Sequence, residues 1–324
     1  MSKINILTGA AGFIGSVLGS QLVSNGLDNL IAVDDFTKTS KAKNFENKKY
    51  IDFIHRDDLK KFLSSYKNDI NAVFHIGART DTTEFNTEIF DKLNLNYTKD
   101  LWIFCAEKNI PFIYASSAAT YGDGAYGYND DHNIVEKLEP LNPYGKSKND
   151  FDKWALTQKQ TPPFWAGLKF FNVYGPNEYH KGRMASVIFH SFHQISETGK
   201  IKLFKSHKPE YKDGMQMRDF IYVKDIVSII SFLYENRPES GIYNAGTGKA
   251  RPFLDLANSV FMALDLNPNI EFVDTPENIR DKYQYFTEAN MNKLISKGYK
   301  KPFTTLEDGV KDYVCSYLKT NKYF

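Results

Sequence analysis

A tyrosine and a lysine four residues apart, Tyr144 and Lys148, follow Pro143 at the start of a helical stretch. That spacing sets both side chains on one helix face. A phenol with a pKa of about 10 is a poor base at neutral pH. An ammonium beside it stabilises the phenolate and brings it toward general acid–base work. Ser117 closes the strand-like run PFIYASS (111–117) and offers a hydroxyl to hydrogen-bond a reacting carbinol. Such a set suits proton transfer coupled to hydride transfer at a carbinol carbon. Tyr-x-x-x-Lys alone is common by chance, mostly as a surface pair.

A hydride needs an acceptor, and the N-terminal segment TGAAGFIG (8–15) has the pattern that holds one. Gly9, Gly12 and Gly15 stand between a strand-like run and a helical run. They permit a tight turn, close approach of the backbone to a pyrophosphate, and helix-on-strand packing. The helix N-terminus behind them, from Phe13 and Ile14, presents free N–H groups to phosphate. Asp34, with Asp35 beside it, ends the next strand, where an acid accepts from a ribose 2′-hydroxyl and favours NAD. Lys38, Lys41 and Arg56 lie in the same neighbourhood and suit a 2′-phosphate, or else a solvated face. The residues by themselves leave NAD and NADP close.

Several elements must position these groups. INILTG (4–9), LIAVDD (30–35), AVFHIGA (72–78) and PFIYASS (111–117) read as continuous apolar strands. Helical patterns, including a long amphipathic one around 87–108, separate them. This alternation predicts a parallel sheet covered on both faces. GLKFFNVYGP (167–176) and DFIYVKDIVSII (219–230) each carry a strand-like run, the second passing into a helix. The stretch 176–218 reads as substrate-facing loops around one helix. The expected fold is α/β: a Rossmann-type doubly wound parallel sheet with a smaller C-terminal α/β substrate lobe. The cofactor domain is placed at 1–171 and the substrate lobe mainly at 172–324, with segments such as 219–248 returning to the first.

Composition excludes other classes. The 324 residues are 42% hydrophobic and carry a formal charge of +2, too weak to call for nucleic acid or an acidic membrane. No apolar run reaches the roughly 18–20 residues of a membrane span. The N-terminal residues show no secretory h-region. Cys105 and Cys315 are expected buried and reduced, and the cytoplasm is the expected compartment. His190 and His193 sit one helical turn apart, but no third ligand stands nearby and the chemistry needs no metal, so none is expected.

The glycine turn, Ser117 with SSAATYG (116–122), the Tyr144–Lys148 pair and Gly77-Ala78 after a strand occur in the order of the extended short-chain dehydrogenase/reductase family, which the chain resembles over nearly its whole length. The resemblance implies NAD(P) bound by the N-terminal domain and a nucleotide sugar by the C-terminal one. It implies Ser117, Tyr144 and Lys148 as the catalytic set, with Ile76, Gly77, Ala78, Arg79 and Thr80 lining the cofactor. Dehydratases of this family place adjacent Asp and Glu after the serine strand; the Ala-Ala-Thr here disfavours dehydration.

FFNVYGPNEYHKGRMASVIFH (170–190), KLF (202–204), RDFIYV (218–223) and Tyr283 with its following Gln resemble the signature of the ADP-glyceromanno-heptose 6-epimerases. Those enzymes invert carbon 6 of ADP-heptose on the way to the lipopolysaccharide core, form symmetric oligomers, commonly pentamers, and tip the cofactor expectation to NADP. Inversion through a transient ketone needs proton transfer on both faces. By the resemblance Lys181 supplies the second acid/base and touches the cofactor. Asn172, His190, Arg218 and Tyr283 would hold the sugar nucleotide, and Phe204, Lys205, Ser206 and His207 form the loop beside the adenosine. Arg183, where the family usually has Ser, joins the expected substrate contacts, and the loop 205–217 is longer than usual. The rivals are a 4-epimerase or oxidoreductase acting on another nucleotide hexose, with no use for Lys181, and a cofactor-binding scaffold, which the intact triad disfavours.

Overall fold

The computed structural model describes residues 3–66, 69–280 and 283–324. Its strands are β1 (Ile4–Thr8), β2 (Leu30–Asp34), β3 (Asp52–His55), β4 (Ile70–His75), β5 (Phe112–Ser117), β6 (Trp165–Phe170), β7 (Asn172–Tyr174), β8 (Ile201–Phe204), β9 (Met217–Tyr222), β10 (Gly241–Ala245), β11 (Ala250–Pro252) and β12 (Ile270–Val273). The helices used below are α1 (Phe13–Ser24), α2 (Tyr97–Glu107), α3 (Pro143–Thr157), α4 (Val187–Thr198), α5 (Val223–Asn236) and α6 (Phe253–Leu264).

Seven strands form one parallel sheet in the order β10-β6-β5-β4-β1-β2-β3. Every residue of β1, β2, β5, β6 and β10 is buried, so both faces are covered, as continuous apolar runs require. The chain winds outward through β2 and β3, then restarts at β4 on the other side of β1. The crevice above the C-terminal ends of β1 and β4 is therefore the topological switch point, where open α/β sheets bind ligands. The Gly9 turn and the Gly77 turn meet there: a Cβ on Gly9 would lie 2.6 Å from the Gly77 nitrogen.

The sequence pattern missed β3, whose DFIH is a polar–apolar mixture on the outer edge and stays partly exposed. It also merged β6 and β7. The chain breaks at Phe171, whose N–H bonds to Ala245 O at 3.1 Å while its carbonyl accepts from Val173 at 2.9 Å. That turn lifts β7 out of the large sheet into a three-stranded one, ordered β11-β9-β7. Within 219–248, α5 packs on α1 and β10 joins the large sheet, whereas β9 belongs to the smaller sheet. The stretch 176–218 holds α4 and also β8, which pairs in parallel with β12. Cys105 is buried as expected; Cys315 is only partly covered and donates to Ala263 O. No helix among the described residues is long and apolar enough to cross a membrane.

Candidate active site

The glycine turn is built for close backbone approach. Gly9 has φ +72°, which a side chain would strain, and a Cβ on Gly15 would stand 2.0 Å from Gly9 O. Gly12 caps α1 with no side-chain bond, leaving the N–H groups of the first turn, from Phe13 to Gly15, to a ligand. A dinucleotide pyrophosphate fits this cradle: glycine where a methyl would collide, and an uncapped helix N-terminus.

Asp34 is already engaged. Its Oδ2 accepts from Ala11 N at 2.9 Å and its Oδ1 from Asp35 N at 2.7 Å and Lys41 Nζ at 2.9 Å. Asp35 faces Arg56 at 3.6 Å and Lys38 at 3.9 Å, and its carboxyl is held below the usual range, chiefly by the Thr37 hydroxyl. Three cations thus gather at the two acids.

At the end of β4, His75 lies between the hydroxyls of Thr8 (2.6 Å) and Thr98 (2.9 Å). Burial, with Lys148 nearby, pushes its imidazole down to about 3, so it is a neutral strut. Gly77 N also donates to the Thr8 hydroxyl. Ile76 to Arg79 are half-buried along this turn, and Thr80 is exposed. A residue not anticipated from the sequence anchors them: Asn94 bonds both N and O of Arg79, at 2.8 and 3.0 Å, and the Ser147 hydroxyl at 3.0 Å. It stands in a π-helical stretch, Asp91–Asn96, just before α2, a widening often found at functional sites. No propensity rule flags an asparagine inside an amphipathic helix as a clamp.

The face of α3 that carries Tyr144 and Lys148 follows from its cap. Asn142 accepts from Gly145 N at 2.8 Å and Pro143 occupies the first turn, which fixes where Tyr144 and Lys148 emerge. Burial pushes the Tyr144 phenol up, and a hydrogen bond from Ser117 opposes that. Burial pushes the Lys148 ammonium down to about 8, with Asp152 acting against the fall. Ser117 sits at the C-terminal end of β5, two strands from the glycine turn.

Lys181 lies in the short helical segment Tyr179–Met184, kinked at Gly182, with its ammonium 5.2 Å from the centre of the Phe13 ring. The structure therefore carries it from a loop distant in sequence to the first residue of α1. Burial lowers its pKa, and the buried Glu178 opposes this. Glu178 accepts from Ser186 N and Oγ, both at 2.6 Å. Asn44 ties the two loops: its amide donates to Ala11 O (3.0 Å) and Asn177 O (3.1 Å), and it meets His180 Nδ1 at 3.2 Å. His180, between Lys41 and Lys181, is pushed down to about 4, mainly by burial.

The expected sugar-nucleotide residues separate into two groups. Arg218 is buried, stacked between Phe253 (5.7 Å) and Tyr283 (5.5 Å), and bonded only to the carbonyls of Met217 and Gln284 among the described residues. It has no carboxylate partner among the described residues, and a guanidinium so placed has the planar geometry that can receive an anion. Phe204 meets Tyr283 edge-on at 6.1 Å, and Tyr285 and Tyr211 extend the aromatic wall. Lys205 pairs with Asp274, Ser206 N bonds Asp213, and His207 is tied to Tyr285 and Thr275. Tyr211 and Tyr285, absent from the sequence-based set, are found through this stacking. Arg183 stands apart: it is largely exposed and reaches Asp81 at 3.4 Å and the Thr83 hydroxyl. Asn172 is exposed on β7 and His190 half-buried on α4; neither side chain makes a hydrogen bond among the described residues.

Comparison with known proteins matches this geometry. The profile of the NAD dependent epimerase/dehydratase family covers residues 5–246. The chain belongs to this family. Named relatives include an ADP-L-glycero-D-manno-heptose-6-epimerase from Fusobacterium nucleatum, 52% identical over 97% of each chain. One from Nitratidesulfovibrio vulgaris is 48% identical over 97% of each. Among solved structures, the Helicobacter pylori ADP-L-glycero-D-manno-heptose-6-epimerase superposes with a TM-score of 0.78 at 26% identity, over 97% of this chain and 95% of that one. A UDP-glucuronic acid 4-epimerase from Bacillus cereus superposes with a TM-score of 0.80 at 24% identity, over 99% of this chain and 100% of that one, a likeness of fold alone. A nicotinamide cofactor and a nucleotide sugar are thus the ligands of an epimerase built on this sheet.

Proposed function

We propose that this chain inverts carbon 6 of ADP-D-glycero-D-manno-heptose, giving the L-glycero epimer for lipopolysaccharide core heptose, and does so as a cytoplasmic homo-oligomer. The observation that carries the reading is Lys181 held against Phe13 at the start of α1, since a 4-epimerase has no use for a second ammonium there. The full-length identity to enzymes named for this activity supports it.

A bound nicotinamide would accept a hydride from the carbinol carbon and return it. Tyr144 holds or gives up the proton at the carbinol oxygen, Ser117 donates a hydrogen bond to that oxygen, and Lys148 keeps the phenolate accessible. Lys181, its pKa lowered by burial, exchanges the proton when the opposite face is presented. Arg218 anchors the diphosphate, and Phe204, Tyr283 and the loop 205–217 stack on the base. For the cofactor we favour NADP over NAD. Lys41, Lys38 and Arg56 converge on Asp34 and Asp35, and Asp34 has both oxygens engaged, so a 2′-phosphate finds cations where a 2′-hydroxyl finds an occupied acid.

The test is Lys181→Met beside Tyr144→Phe, assayed with ADP-D-glycero-D-manno-heptose. Each should cut inversion by about 100-fold or more while substrate still binds. The hydrogen at carbon 6 should stay within the molecule. Inversion at the parental rate in Lys181→Met, or solvent deuterium entering carbon 6, would sink the proposal.

A further inference from the structure

Beneath the catalytic face of α3 lies an ion pair that the chemistry above does not use. Asp152 and Lys169 are both fully buried and meet at 2.8 Å. Asp152 is one helical turn beyond Lys148 and two beyond Tyr144, on the same face of α3. Its Oδ1 accepts from the Tyr114 hydroxyl at 2.9 Å, and its Oδ2 from Ser116 Oγ at 2.7 Å and from Lys169. Lys169, on β6, also donates to Thr120 Oγ1 at 2.7 Å, and that hydroxyl donates to the carbonyl of Ser117 at 2.8 Å. Gly167 leaves room for this: a Cβ there would lie 2.3 Å from the Tyr114 hydroxyl. Below, Lys169 faces the Tyr121 ring at 5.0 Å, and Tyr121 bonds Asn244 on β10 at 2.6 Å.

A buried ion pair is weak support for stability, because an apolar replacement of similar volume is often neutral or better. This one grips both residues at the end of β5 and one turn of α3. We propose that Asp152 and Lys169 form a positioning pair for the Tyr144–Lys148–Ser117 centre. The pair clamps Ser117 against α3 and sets a carboxylate one turn beyond Lys148 on the same helix face.

The groups around Lys148 agree with that division. Asp152 faces it from its own helix, and Tyr144 shares that face. His75 approaches from β4 as a neutral ring, and Lys169 on β6 pairs with Asp152. Asp152, one turn away on the same face, opposes the effect of burial on the Lys148 ammonium. Removing it should make Lys148 lose that proton at lower pH.

The inference rests on the reading of Tyr144, Lys148 and Ser117 as the redox centre, and its test separates the two. Cofactor-loaded protein carrying lysine labelled with 13C at Cε is titrated by NMR, the Lys148 resonance being identified by its loss in Lys148→Met. Asp152→Asn, and Asp152→Asn with Lys169→Met, should both titrate Lys148 at lower pH than the parent. The alkaline limb of kcat should move down with it, with kcat reduced about tenfold or more and KM nearly constant. The double variant removes both buried charges, so it carries the test if the single one does not fold. Parental titration of Lys148 in the double variant overturns the proposal. Parental turnover in Lys148→Met overturns the redox reading instead, and the proposal with it.

Discussion

The two halves of the site are made of different material. Around the cofactor the surface is backbone: the Gly9–Gly15 turn, the Gly77 turn and the uncapped start of α1, braced by Thr8, His75, Thr98 and Asn94. Nearly every brace is a short polar side chain with a bonded partner. At the proposed sugar-nucleotide end the surface is side chain: Arg218 between two rings, and Phe204, Tyr283, Tyr285 and Tyr211 in a chain of ring contacts. A backbone cradle recognises what every dinucleotide has, a pyrophosphate. A side-chain wall on loops can be redrawn without disturbing the sheet, which is how one fold serves many nucleotide sugars.

If that contrast is right, damage to the backbone half should be the larger. Gly15→Ala puts a methyl 2.0 Å from Gly9 O, against backbone that cannot step aside. The loop must open, at a cost of about 3 kcal/mol or more, so cofactor affinity should fall by more than about a hundredfold. Dinucleotide content after denaturation measures it; a normally loaded alanine variant would show that the turn is not the cradle.

Arg218→Lys tests the other half. Lysine keeps the charge but loses the planar fork and the stacking on Phe253 and Tyr283. Affinity for ADP-heptose should drop by about 10–100-fold, or about 1.5–3 kcal/mol, with cofactor content unchanged. Calorimetry with the nucleotide sugar decides it, and equal affinity would move the diphosphate elsewhere.

Lys41→Glu asks whether the backbone half also chooses its dinucleotide. Lys41 is mostly covered and bonded to Asp34. Reversing its charge should cost NADP about 1–3 kcal/mol relative to NAD. An unchanged ratio of the two dissociation constants would reduce Lys41 to a partner of Asp34.

The smallest effect belongs to Tyr211→Ala, on the longer loop. It removes one tilted ring contact with Tyr285, worth about 0.5–1.5 kcal/mol, so KM should rise about two- to tenfold with kcat kept. A fall in kcat would show that this loop reaches the reacting end of the sugar.

Sequence spacing alone determined the parts that local chemistry specifies. Gly9, Gly12 and Gly15 follow a buried strand, and Tyr144 and Lys148 fall on one face of a helix capped by Asn142. Those relations hold within a few residues, and apolar runs name the strands they hang on. Five strands of the seven-stranded sheet were legible for the same reason; β3, a half-exposed edge, had no pattern to announce it, and β10 was not singled out within 219–248. Tertiary structure decided what depends on distant segments meeting. It brought Lys181 to Phe13, set Asn94 against Arg79 and Ser147, and turned Arg183 toward Asp81 rather than into the aromatic wall. It also joined Asp152 to Lys169 beneath α3. A polar residue in a sequence carries no mark of its partner, and burial, which makes that partner obligatory, exists only once the sheet has closed over both.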